Sequence, residues 1–75
     1  MKLPIENLQE IFCSVFNKQI EISAETKKRD VGEWDSLTHL NLIVELEDRM
    51  GISFTKDEIE KIKSVKEIIA IVENK

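Results

Sequence analysis

The sequence predicts an all-α fold: a small bundle of three longer helices and one short helix, with a long loop between helices one and two. Three observations carry this expectation. Apolar residues recur at three- and four-residue spacing through most of the chain, the period of one helix face. Cap signals of the Asp, Thr-x-x-Glu and Gly types punctuate those stretches. Tyr is absent and Trp occurs once, and no paired alternating segments suggest a sheet. With 75 residues, the chain has room for a single domain, residues 1–75, since so short a chain buries only about 60 % of the surface it exposes when unfolded.

In the first element, Pro4 suits an opening helical turn, and Leu8, Ile11, Phe12, Val15 and Phe16 follow at helical spacing. A helix over residues 4–16 is predicted. Residues 17–34 lose that period: Ile20 and Ile22 alternate with polar neighbours, and the charged stretch Glu25, Lys27, Lys28, Arg29 and Asp30 leads to Gly32. So long a connection often carries function, and Ile20, Ile22 and Val31 are candidates to pin it to the core. Asp35 then caps a second helix over residues 36–50, which Gly51 ends with a left-handed turn. Thr55-Lys56-Asp57-Glu58 has capping-box spacing and opens a short amphipathic segment through Ile59 and Ile62. Ser64-Val65-Lys66-Glu67 repeats the signal ahead of Val65, Ile68, Ile69 and Val72.

Charge and cysteine content narrow the function classes. Eleven basic and fifteen acidic residues leave a net charge of −4, which repels a nucleic-acid backbone and favours a partner with a basic patch. No apolar run approaches the ~20 residues that span a bilayer. The opening Met-Lys-Leu-Pro-Ile-Glu does not read as a signal peptide, so a cytoplasmic monomer with no membrane association is expected. Cys13 is the only cysteine, which excludes an intramolecular disulfide and a cysteine-based zinc site; in its apolar stretch it reads as a small core residue. No metal site is expected.

At 100° per residue, helix two divides into two groups. Leu40, Leu42, Ile43, Leu46 and Met50 share the arc expected to face the core. Leu37 and Val44 fall off its edge, beside Thr38, Asn41, Glu45 and Asp48. They are either a small docking surface or a second buried side packed under the long loop. His39, the only histidine, stands one turn after Ser36, but a Ser-His hydrolase also needs an oxyanion hole, an orienting group and a cleft, for which this chain offers little room. His39 is expected to hydrogen-bond to a loop or neighbouring helix.

Trp34-Asp35-Ser36-Leu37, directly after a long loop and opening an amphipathic helix, resembles the acyl carrier protein family. The resemblance extends over Val31-Gly32, Leu46-Glu47-Asp48-Arg49-Met50-Gly51-Ile52 and Asp57-Glu58-Ile59-Glu60-Lys61-Ile62. It implies a carrier and not an enzyme. Ser36 would hold 4'-phosphopantetheine through a phosphodiester, attached by a phosphopantetheinyl transferase, with Asp35 and Leu37 completing the attachment motif. The arm's thiol would carry an acyl or amino-acyl cargo as a thioester, exchanged with a cargo-loading ligase or acyltransferase and with downstream biosynthetic enzymes. A phosphodiester at the first turn of a helix is favoured by the positive end of the dipole. Asp35 reads as a helix cap and, by resemblance, as a residue that also helps hold the transferase's metal.

The sequence departs from the family at the docking face. Thr38 and Asn41 stand where carriers of general fatty acid synthesis commonly have acids, leaving Glu45, Glu47 and Asp48. Steering toward basic enzymes is weakened, which points to a dedicated biosynthetic pathway. Partner docking is assigned to Trp34, Leu37, Asn41, Val44, Glu45 and Asp48, with Trp34 either presented to a partner or folded over the bundle as a lid. Phe54 and Ile59 add bulk where smaller residues are common, so a short cargo held outside the bundle is expected. The reading from another class is a non-catalytic acidic helical interaction module without a prosthetic group.

Overall fold

Local capping chemistry sets the helix boundaries in the computed structural model, which describes residues 2–75. Helix α1 (Ile5–Phe16) follows Pro4, whose φ of −61° presets the entry and whose carbonyl accepts from the Asn7 and Leu8 amides. Asn17 ends it in the left-handed region at φ 55°. Helix α2 (Ser36–Met50) starts at Asp35, whose Oδ1 accepts from the Thr38 amide at 2.9 Å, and stops at Gly51 with φ 65°. Only glycine adopts that conformation without a Cβ penalty. Helix α3 (Lys56–Lys61) is opened by a reciprocal capping box: Thr55 Oγ1 accepts from the Glu58 amide and Glu58 Oε1 from the Thr55 amide. Helix α4 (Val65–Glu73) is capped by Ser64. Among the described residues there is no strand, and one isolated antiparallel bridge joins Lys27 to Ser64. The all-α prediction of three longer helices and one short one holds, with the first helix beginning one residue later than expected.

The core is built from the apolar stripes of three helices: Leu8, Ile11 and Phe12 of α1, Leu42, Ile43 and Leu46 of α2, and Val65, Ile68 and Val72 of α4, joined by Ile62 and Phe54. Phe12 meets Trp34 edge to face at a centroid separation of 5.2 Å and stacks on Phe16 at 5.3 Å. Residues 17–35 are held down along their length. Ile20, Ile22 and Val31 pack against the core. The Gln9 side chain acts as a staple, its Nε2 donating to the Ile20 carbonyl and its Oε1 accepting from the Ile22 amide. Lys18 pairs with Glu33. A single helical turn at Lys28–Asp30 is tied across to the α3–α4 junction, where the Lys28 amide donates to the Lys63 carbonyl at 2.8 Å and the Val65 amide to the Thr26 carbonyl at 2.9 Å. Cys13 is half-buried, with Sγ 3.5 Å from the Ile20 carbonyl.

Two side chains depart from expectation. Trp34 is 3 % exposed, so the lid reading is correct and its ring is not offered for docking. Leu40 was expected in the core arc and is 52 % exposed. The reason is His39, which is buried at 6 %: once it belongs to the inner face, the centre of that face moves toward His39, Leu42 and Leu46, and Leu40 turns out to solvent.

Candidate functional site

Asp35 has non-helical backbone angles, φ −94° and ψ −174°, and Ser36 is the first residue of α2. The hydroxyl-bearing residue therefore sits at the helix end where backbone N–H groups and the positive dipole end favour an anion. Ser36 is exposed. Asp35 remains anionic beside it, because the Thr38 amide holds its carboxyl below the usual aspartate range. Behind it, Glu33 is also held below its usual range by its hydrogen bond from Lys18.

Leu37 (70 % exposed), Leu40 and Val44 (62 % exposed) stand at spacings of three, four and seven residues and form one apolar stripe on the open side of α2. Asn41 and Asp48 are exposed alongside. Glu45 is half-buried on the flank, and its Oε2 accepts from Arg49 Nε at 2.6 Å. The fold thus brings Ser36, Leu37, Asn41, Val44 and Asp48 to one surface, adds Leu40 and takes Trp34 away. Glu47, counted among the acids of that surface, is turned to the segment after α2, where Oε2 accepts from the Phe54 amide at 2.8 Å.

His39 links α2 to α3. Trp34 Nε1–H donates to Nδ1 at 2.8 Å, so the ring proton lies on Nε2, which donates to the Ile59 carbonyl at 2.9 Å. That carbonyl is in the last turn of α3 and would otherwise lack an intrahelical partner. With both ring nitrogens engaged, the imidazole has no free lone pair to accept a proton from Ser36, and a Ser-His dyad is not assembled. No group of three or more potential metal ligands occurs among the described residues.

A shallow cleft of about 350 Å³ opens beside Ser36 between α2 and α3, lined by Leu40, Ile59, Ile62, Lys28, Lys63 and neighbours. Ile62 on its lining and Phe54 are both buried in the core. An exposed hydroxyl at a helix start, with lysines on the adjoining rim, suits a covalent phosphodiester arm leading away from the bundle.

The comparisons with known proteins agree with that geometry. The family model described as "Phosphopantetheine attachment site" matches residues 6–72. An acyl carrier protein from Exiguobacterium sp. (strain ATCC BAA-1283 / AT1b) is 30 % identical over 70 residues, spanning 92 % of this chain and 89 % of that protein. The solution NMR structure of the holo acyl carrier protein from Geobacter metallireducens superposes with a TM-score of 0.86 at 39 % identity, covering 95 % of this chain and 83 % of that one. With the match running from α1 through α4, the chain belongs to the acyl carrier protein family, carriers and not enzymes, whose prosthetic group is covalently attached 4'-phosphopantetheine.

Proposed function

We propose that Ser36 is the attachment point of the phosphopantetheine arm and that the protein carries a short acyl or amino-acyl thioester for a dedicated biosynthetic pathway. The observation that carries the site is the exposed first-turn position of Ser36, capped by Asp35 and followed by an exposed Leu37. The arm supplies a terminal thiol that holds cargo as a thioester. The chain's own residues hold the anchor at the positive end of α2 and present the stripe Leu37, Leu40 and Val44 to partner enzymes, a phosphopantetheinyl transferase and a cargo-loading ligase or acyltransferase among them. Asn41 and Asp48 flank that stripe. Because Thr38 and Asn41 bring no charge to it, docking rests on apolar contact more than on long-range steering.

Short cargo is supported by the shallowness of the cleft between α2 and α3 and by the bulk of Phe54 and Ile62, both buried in the core. Interiors pack at near-crystalline density, so a chain too long for that cleft would have to displace core side chains such as Phe54 or Ile62. Loading acyl chains of increasing length is therefore expected to leave the thermal midpoint level. A steady rise, as burial of roughly 0.8 kcal/mol per methylene would give, would contradict it. The site itself is tested by intact mass. After coexpression with a pantetheinyl transferase the protein should gain one phosphopantetheine unit, and Ser36→Ala should gain none.

A further inference from the structure

The Ser36 cleft does not end at α3. Lys28 and Lys63 line both it and a larger groove of about 640 Å³, so the two adjoin at these lysines, by the α3–α4 junction. Trp34 lies on the groove's lining, and Lys27, Lys28, Arg29 and Lys63 rim it. These cations come from segments more than thirty residues apart. The Lys28–Lys63 backbone hydrogen bond and the bridge between Lys27 and Ser64 lock the two walls together.

None of the four cations has an acidic side chain within ion-pair distance among the described residues, where the ion pairs are those of Lys18, Arg49 and Lys75; what sets the four apart is that they converge on one groove. The acid inside the groove is Glu67, and its Oε1 already accepts from the Lys63 amide at 2.9 Å and from the Ser64 hydroxyl at 3.1 Å. Glu60 lies on the cleft nearer Ser36. In a chain whose net charge is −4, the groove adjoining the Ser36 cleft is locally cationic.

We infer that this groove receives the far end of the tethered cargo and selects acyl groups that end in a carboxylate. The inference rests on Ser36 carrying the arm. A carboxylate held near several unpaired cations is favoured over a methyl terminus of the same length. Single exposed ion pairs are weak. Tethering removes that objection, because a flexible arm anchored on the adjoining cleft gives its terminal group a roughly millimolar effective concentration in the groove. A free acidic ligand would lack this advantage, and the concave shape with an aromatic on its lining suits a small acyl group better than a flat protein surface.

The test compares the protein loaded with glutaryl and with valeryl thioesters, five-carbon cargoes that differ at the terminal carboxylate. Intact mass first verifies loading, and absence of the mass gain would count against Ser36 as the anchor instead of against the groove. In two-dimensional NMR spectra the glutaryl form is expected to shift the Trp34 indole signal and the Lys27–Arg29 amides away from their positions in the unloaded holo protein, and the valeryl form to leave them in place. The glutaryl shift should be lost in the Lys28→Gln/Lys63→Gln double variant, whose fold is checked by unchanged core signals, since both lysines join the walls through backbone groups. Identical spectra for the two cargoes, or a shift that survives in the double variant, would overturn the inference.

Discussion

The two faces of α2 differ in what holds them. On the inner face His39, Leu42, Ile43 and Leu46 are all 6 % exposed or less. On the outer face Leu37, Leu40 and Val44 keep more than half of their surface in water. Both faces are apolar, yet only one contributes to folding. A bundle of this size needs a single buried stripe per helix, so folding does not account for the outer stripe, which the proposed function gives to partner docking, and Ser36 stands at its amino-terminal end.

The largest effect should separate the faces outright. Leu46→Ala is expected to cost about 2–5 kcal/mol in denaturant unfolding, whereas Leu37→Ala and Val44→Ala stay within about 0.5 kcal/mol of the parent while slowing cargo loading. A core-sized loss at Leu37 would break the division between faces. His39→Leu sharpens it from the polar side. Removing the imidazole strands the Trp34 indole N–H and the Ile59 carbonyl, at about 1–3 kcal/mol for each group left unpaired, and amide exchange in α3 should accelerate before that in α1.

The prediction from His39 also shows where the sequence was readable. Asp35, Gly51 and the Thr55-x-x-Glu58 box announce themselves because a cap is made within three or four residues, and the helix limits followed from them. Leu40 and Trp34 are not legible in the same way, because their surroundings depend on His39, which itself reaches across to Ile59, twenty residues away. The Gln9 staple on Ile20 and Ile22 carries no sequence signal for the same reason. Ser36 was legible through its local motif. The cationic groove was not, since Lys27, Lys28 and Arg29 become neighbours of Lys63 only when the loop docks on the α3–α4 junction. Glu47 looked like one more surface acid until the Phe54 amide gave it a structural partner.

A smaller effect concerns the cap beside Ser36, the proposed attachment site. The carboxyl of Asp35 titrates below its usual range because the Thr38 amide bonds its ionised form. Its stabilising contribution is therefore present above the ordinary aspartate range and is lost as pH falls through the lowered folded-state value. Asp35→Asn keeps an acceptor for Thr38 without that titration, so its stability should fall less steeply than the parent's between pH 4 and more acidic conditions. Equal slopes in acid unfolding would show that other carboxylates, such as Glu58 with its lowered range from the Thr55 amide and Lys75, dominate.

The most direct measurement is peptide mapping of the holo protein. The chain offers five serines, of which Ser14, Ser23, Ser53 and Ser64 lack the pairing of a capped first helical turn with an exposed leucine next to it. Fragmentation should place the whole phosphopantetheine mass on Ser36, in the peptide that also contains Asp35 and Leu37. Finding the group on any other residue, or an unmodified Ser36 in protein that has gained the mass, would contradict the account.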